Sequence, residues 1–335
     1  MMRMDRAQAE SLLARMSGQR VAVLGDLMLD EYLFGEVNRI SPEAPVPIVR
    51  VNRERAVLGG AANVAANLKS IGAEPVLLGT LQQDIAGNRM QGLLQGLAIK
   101  ADWLVLDPTR PTIIKTRVIG QQQQMIRIDR EETGGCQPAA VEALCARLAH
   151  ALEQASALII SDYAKGVVCL EVMERVRDLC RARGIPWIVD PKPEHAALYR
   201  GAPLMTPNTK ELAALTGLPA RSDVELAAAG QTLMDGLGLQ GLLVTRSEKG
   251  MALFAHDQRH RAPWMIPTEA REVFDVSGAG DTVIAVFSAA VSAGADWQDA
   301  AMLANAAAGV VVGKMGTATA TPAEVLRHYQ DQEAN

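Results

Sequence analysis

The 335-residue chain is poor in aromatic side chains, with four Phe, four Trp and four Tyr, 4% of the total. Its core must therefore come from Ala, Val, Leu and Ile, as in α/β proteins whose helices pack closely on a sheet. Cysteine is also scarce. Cys136, Cys145, Cys169 and Cys180 form no C-x-x-C pair and have no histidine at metal-ligand spacing. A disulfide framework and a zinc module are excluded, and the four read as reduced thiols of a cytoplasmic protein. No basic run of five or more occurs. The net charge of −5 has the wrong sign for a chain that binds nucleic acid by neutralising phosphates. No apolar run is long enough to cross a bilayer: the longest, 283–295, is short and is followed by Asp296 and Asp299. The N-terminal MMRMDRAQAE carries Asp5 and Glu10 without an apolar centre, so no signal peptide is expected.

What remains is ordinary for a packed globular protein, 49% hydrophobic and 21% charged. The runs VAVLGD (21–26), PVLLGT (75–80), ALIISD (157–162), WIVD (187–190), PLMTPN (203–208) and GLLVTR (241–246) read as short buried strands, and 60–71 and 84–97 as helices. Strands repeatedly followed by helical patterns predict βαβ units: an α/β fold with a mostly parallel sheet covered by helices on both faces. A single domain over 1–335 is expected. Two segments break the pattern. Residues 30–56 contain ISPEAPVPIVRV, and 110–130 contain TIIKTRVIG and QMIRIDR around a run of glutamines. Both read as β-structure inserted into the α/β body, either a lid that closes over a site and excludes water or merely extra edge strands.

Ligands of open parallel sheets bind beyond the carboxyl ends of the strands. Here those ends supply Asp26, Asp162, Asp190 with Lys192, Asn208 with Glu211, and Thr245 with Arg246. Each alone reads as a cap or turn residue; five at one edge point to a site. The strongest segment is DVSGAGDT (275–282), followed by the apolar VIAVFSAAVSA. Its glycines let backbone approach a ligand, and the free N–H groups of the helix that follows favour an anion. Asp281 in the first turn is either a dipole-matched cap or, beside an anion hole, the group that takes a proton from an attacking hydroxyl in phosphoryl transfer. A dinucleotide fold would need a third glycine where Val283 stands. A Walker A loop is absent, since GVVVGKM (309–315) is one residue short and has Met for Ser/Thr.

DVSGAGDT and LGGAANVAANLKSIGA (58–73) resemble the second and first signatures of the ribokinase-like (PfkB) family of sugar kinases, and the resemblance covers nearly the whole chain. GDLMLDEY, ISPEAPVPIV, RPTIIKTRVI, QQMIRID, SDYAKG, DPK and GTATATP are most similar to the branch acting on D-glycero-β-D-manno-heptose 7-phosphate. The nucleotidyltransferase motif of the bifunctional relatives is missing, so a kinase-only form is expected. The resemblance implies ATP and Mg²⁺ as cofactors and Asp281 as the base for the C1 hydroxyl. It places the backbone of Gly278, Ala279 and Gly280 around the transferred phosphoryl, and Asp26, Asp30, Gly59, Gly60 and Asn63 on sugar hydroxyls. Asn208 and Glu211 fall near the nucleotide phosphates, Glu211 with the metal. Thr245, Ser247, Gly250 and Asn305 line the adenine nucleotide. Ser247 departs from the family's T-x-G-x-x-G.

A substrate that already carries a phosphate needs fixed cations. The candidates are Lys115, Arg117 and Arg127 on the lid strands, and Lys165 and Lys192, with Asp162, on sheet-end loops. Lys115 and Arg117, two apart in a strand, share a face and suit a two-pronged clamp. The expected substrate is heptose 7-phosphate; fructose 6-phosphate, ribose or a nucleoside is the alternative, as for other kinases of the fold. Apolar alternation in the lid (Val46, Ile48, Val51; Ile114, Val118) predicts edges covered by a second copy, a homodimer through the lids.

Overall fold

A computed structural model describes residues 4–121, 123–132, 134–255, 262–270, 273–314 and 316–333. Elements are numbered in chain order. Helix α1 (Arg6–Met16) begins with a reciprocal cap between Asp5 and Gln8. Strand β1 (Arg20–Gly25) runs through Asp26 into the long β2 (Leu27–Ile40), and β3 (Pro47–Gly60) returns directly into α2 (Ala61–Ser70). Then come β4 (Glu74–Leu78), β5 (Thr80–Leu81), α3 (Ile85–Gly96), β6 (Val105–Leu106), and the pair β7 (Ile113–Gly120) and β8 (Gln123–Arg130). The βα alternation resumes with α4 (Pro138–Ala151), β9 (Ala157–Ser161), α5 (Leu170–Arg183), β10 (Trp187–Asp190), β11 (Leu204–Met205), α6 (Thr209–Thr216), α7 (Asp223–Leu237) and β12 (Gly241–Thr245). Strands β13 (Met251–Ala255) and β14 (Trp264–Ile266) precede α8 (Ala279–Ser292), α9 (Trp297–Val312) and α10 (Pro322–Glu333).

The main sheet has eight strands in the order β14-β13-β12-β11-β10-β9-β1-β4. Strands β4 to β12 in that list pair in parallel, and β13 and β14 are antiparallel additions at one edge. Alternation along each strand splits the core into two layers. On β1, Val21 and Val23 join the layer with α1, α2, α3, α8 and α9; Ala22 and Leu24 join the layer with α4, α5, α6 and α7. Small side chains bring helices close in the first layer. Ala61, Ala62, Ala65 and Ala66 of α2 and Ala285, Ala289 and Ala290 of α8 are all buried. Helix α8 is buried through ten successive residues from Asp281 to Ala290, seven of them apolar, the pattern of a helix enclosed on every side.

The two inserted segments form a separate four-stranded sheet, β3-β2-β7-β8. Its boundaries differ from the expected 30–56 and 110–130. The strands begin at Leu27 and run to Gly60, because β1 passes into β2 with only Asp26 between. The second pair starts at Ile113, and Gln122, in the expected lid segment, lies outside the described residues. Asp30 pairs with Lys115, and Tyr32 with Arg117, so all four share a face. Strand β8 is exposed at every position, at the edge of the sheet. Val46 and Val51 are exposed as expected, whereas Ile114 and Val118 are buried: β7 is a central strand with one face on the body of the protein.

Candidate active site

The polar strand ends do converge, but not all for one purpose. Asp26 is buried, and its carboxylate accepts three amides: Val167 on Oδ1 at 3.0 Å, and Tyr163 and Lys165 on Oδ2 at 2.9 and 3.0 Å. Burial, then the Asp162 charge, push its carboxyl above the ordinary value. Asp162, wholly buried, accepts the Ala164 amide on Oδ1 and the Tyr199 hydroxyl on Oδ2, which also faces His195 Nδ1 at 2.7 Å. Both residues were expected against substrate. In the structure they hold the 162–168 loop, with few lone pairs left over.

At the start of α8 the chain turns through Gly278 at φ 79°, with no side-chain cap on the helix among the described residues. The first turn of a helix leaves its amides without intrahelical partners, so Gly280 and Asp281 present theirs to the space above. A Cβ on Gly278 would stand 2.8 Å from Asn63 Nδ2, whereas one on Gly280 would meet no atom within 4 Å. The first glycine is thus required by packing, and the second faces open room for a ligand.

Asp281 is only 6% exposed. Its Oδ2 accepts Asn63 Nδ2 at 2.7 Å and its Oδ1 accepts the Tyr163 hydroxyl at 2.8 Å. Burial lifts its carboxyl to about 6, against the pull of the Asn63 and Tyr163 hydrogen bonds and of Lys192; Asp30 adds to the lift. A carboxylate poised near 6 is basic enough to take a proton and still ionised at neutral pH. Asn67 packs beside Asn63: its Nδ2 donates to the main-chain carbonyl of Asn63 at 2.9 Å, and Thr282 Oγ1 donates to Asn67 Oδ1 at 2.8 Å. Tyr163 was not singled out from the sequence.

The four-stranded sheet brings Asp30 near Asp281 as well. Asp30 accepts Arg117 Nη1 at 2.6 Å, and it approaches β3 so closely that a Cβ on Gly59 would stand 2.6 Å from its Oδ2. Gly60, at φ 57°, leaves room for the Asp26 carbonyl, which accepts the Ala61 amide. The five cations expected to meet a substrate phosphate each have a carboxylate partner. Arg117 has Asp30; Lys115 has Asp129 and Glu131 at 3.6 and 3.8 Å; Arg127 has Asp129 at 2.9 Å; Lys165 has Glu131 at 2.7 Å; Lys192 has Glu211 at 2.8 Å. Lys115, Arg127 and Lys165 thus form one network around Asp129 and Glu131.

On the far side of the glycine turn is a groove of about 490 Å³ lined by Asn208, Thr245, Ser247, Gly250, Gly280 and Asn305 among others, within the range that a nucleotide-sized ligand fills. Asn208 caps α6 reciprocally with Glu211. Glu211 also holds Lys192, whose ammonium is stabilised above its ordinary value despite burial, chiefly by that carboxylate. Asp190 beside them is raised well above the carboxylate range by burial and then by Glu211. Gly250 is at φ 80°, where a Cβ would stand 2.1 Å from the Ile266 carbonyl. Ser247 sits at φ 52°, a conformation that glycine adopts at no cost, which explains the family's preference there. No cluster of three His, Cys, Asp or Glu that could hold a metal occurs among the described residues. Glu211, at the N-terminal turn of α6 beside the groove residues Asn208 and Lys210, is a hard oxygen donor of the kind that Mg²⁺ takes together with nucleotide phosphates.

Residues 19–324 match the profile of the pfkB family carbohydrate kinases. The D-beta-D-heptose 7-phosphate kinase of Bordetella bronchiseptica is 46% identical over 311 residues, 93% of this chain and 96% of the relative. The bifunctional protein HldE of Gluconacetobacter diazotrophicus is 46% identical over 315 residues; these cover 94% of this chain, which spans only 64% of that protein's length. Among solved structures, phosphofructokinase-2 from Escherichia coli in complex with potassium has a TM-score of 0.78 at 17% identity, covering 94% of this chain and 99% of that one. Arabidopsis thaliana ribokinase complexed with ribose and ATP has a TM-score of 0.72 at 20% identity, covering 94% and 99%. These two likenesses show the fold, a ribokinase-like α/β architecture.

Proposed function

The chain belongs to the pfkB family of carbohydrate kinases, and on that premise we propose that it transfers the γ-phosphoryl of ATP to the C1 hydroxyl of D-glycero-β-D-manno-heptose 7-phosphate. The product would be the 1,7-bisphosphate, a step toward ADP-heptose and lipopolysaccharide core made in the cytoplasm. The observation that carries the reading is the position of Asp281. It stands in the first turn of α8, between free amides that open on a nucleotide-sized groove and the polar face of the lid. The 46% identity to a heptose 7-phosphate kinase over nearly that whole protein supports the choice of sugar.

In this reading ATP lies in the groove, with its γ-phosphoryl over the backbone of Gly278, Ala279 and Gly280. The sugar lies between Asp281 and the lid, against Asp30, Gly59 and Asn63. The C1 oxygen attacks the phosphorus and its proton passes to Asp281; the bond to the β-phosphate oxygen breaks and ADP leaves. The protein's share is alignment and charge. Mg²⁺ bound with the nucleotide, near Glu211, would supply further neutralisation of the transferring group. The sugar's own phosphate would meet the Lys115, Arg117, Arg127, Lys165 and Lys192 group by competing with carboxylates that now hold those cations. The lid edges, with Ile40, Val46, Met125, Ile126 and Ile128 exposed, are proposed to pair across a two-fold axis in a homodimer.

ADP release with Mg-ATP against D-glycero-β-D-manno-heptose 7-phosphate, fructose 6-phosphate and ribose tests the reading. Turnover with the heptose phosphate alone is expected. Turnover only with another sugar would retain the kinase chemistry and discard the substrate.

A further inference from the structure

The two donors on Asp281 are held in different ways. Asn63 belongs to α2, while Tyr163 belongs to no helix or strand. Its loop is nevertheless tied at four points: the amides of Tyr163, Lys165 and Val167 donate to Asp26, and that of Ala164 donates to Asp162. The Lys192 ammonium lies 5.3 Å from the Tyr163 ring centroid. The loop is thereby anchored on both sides of Tyr163, whose hydroxyl reaches Asp281 at 2.8 Å.

We propose that Tyr163 is a positioning residue for the reaction: anchored through its own amide on Asp26, it fixes Oδ1 of Asp281 so that the carboxylate keeps one orientation and offers its remaining lone pairs to the sugar hydroxyl. The proposal rests on Asp281 being the base. A carboxylate oxygen can accept two hydrogen bonds, so Asn63 and Tyr163 each leave one place free. The phenol does not compete for the proton, because burial and the neighbouring Asp281 charge keep it protonated. The groups facing Asp281 are Asn63 from α2, Tyr163 from the loop after β9, Lys192 and Asp190 around the end of β10, and Asp30 from β2. Asn63, Tyr163 and Lys192 favour the ionised form; burial and Asp30 oppose it. Removing the phenol hydroxyl takes away one of the three groups that keep this buried carboxylate charged.

The test is Tyr163→Phe, which keeps the ring beside Lys192 and the amide on Asp26. Hydrogen bonds to charged groups are strong enough to move the acid limb of kcat/KM up by roughly one pH unit. From a starting point near 6, that is about a fivefold loss at pH 6, closing above pH 8, with KM for ATP unchanged. The second readout needs no turnover. Infrared titration of the substrate-free protein follows the carboxylic-acid band that disappears in Asp281→Asn, and its midpoint should rise in Tyr163→Phe. An acid limb and an infrared midpoint that both stay in place overturn the proposal. A pH-independent loss with an unmoved midpoint also overturns it, leaving Tyr163 a packing residue. Wild-type turnover in Asp281→Asn removes the base assignment itself, and the proposal with it.

Discussion

Replacing Gly278 and Gly280 by alanine, one at a time, separates the structural from the chemical half of the glycine turn. Gly278 sits at φ 79°, and a Cβ there would stand 2.8 Å from Asn63 Nδ2 and 3.3 Å from Thr317 Cγ2. Left-handed backbone in a residue with a Cβ costs about 1–2 kcal/mol, which in a protein of this size lowers Tm by roughly 1.5–3 °C. The Asn63 amide must also retreat by roughly half an ångström to restore ordinary contact, and it is the donor that holds Asp281 at 2.7 Å. A misplaced base costs on the order of 10–100-fold in kcat. Gly280→Ala meets no protein atom within 4 Å, and alanine in a helix is favourable by up to about 1 kcal/mol over glycine. Its methyl enters the groove where the phosphoryl would lie, so Tm should hold or rise while kcat falls and KM for ATP climbs. Thermal denaturation and steady-state ADP release on both variants make the comparison. A Gly278→Ala protein with wild-type Tm and kcat would refute the packing argument; a fully active Gly280→Ala enzyme would refute the phosphoryl cradle.

Asp281→Asn should lose about 10²–10⁴-fold in turnover or more with the fold intact, read by ADP release beside circular dichroism; near-wild-type rates would remove the base. Asn208→Ala deletes the reciprocal cap of α6 and should cost about 1 kcal/mol in chemical denaturation, with KM for ATP raised as Glu211 loses its tether; unchanged values on both counts would separate the cap from the nucleotide site. Light scattering at micromolar concentration should give the mass of two chains, and a monomer would remove the lid-paired dimer.

The strands and helices of the α/β body were legible because their signals are local. VAVLGD, ALIISD, WIVD and GLLVTR are apolar runs ended by polar turns, and each lies on an observed strand: β1, β9, β10 and β12. The 84–97 helix is found as α3 over Ile85–Gly96, with Asp84 as its N-cap. The antiparallel β13 and β14 were not foreseen, because pairing direction is set by the returning chain rather than by side-chain pattern. The glycine turn and Asp281 were legible as a motif. Tyr163 was not: it is 118 positions from Asp281, and nothing in the SDYAKG string marks its hydroxyl for that carboxylate. Asp26 and Asp162 looked like ligand groups because a buried carboxylate and a binding carboxylate have the same letter, and only the amides around them tell the two apart. The cations likewise gave no hint of Asp129, Glu131 and Glu211 as their partners.

On its β2–β3 side the four-stranded sheet joins the body with almost no intervening chain. One residue, Asp26, separates β1 from β2, and β3 passes into α2 with no intervening residue. The side chain of that single residue grips the Tyr163 loop, and its carbonyl holds the Ala61 amide. Two residues further into α2 stands Asn63. The connection through Asp26 thus lies one hydrogen bond from the loop that carries Tyr163 and one from the first residue of the helix that carries Asn63, the two donors on Asp281. Flexible residues inserted on either side of Asp26 should therefore loosen both donors at once, although neither Asn63 nor Tyr163 is itself changed.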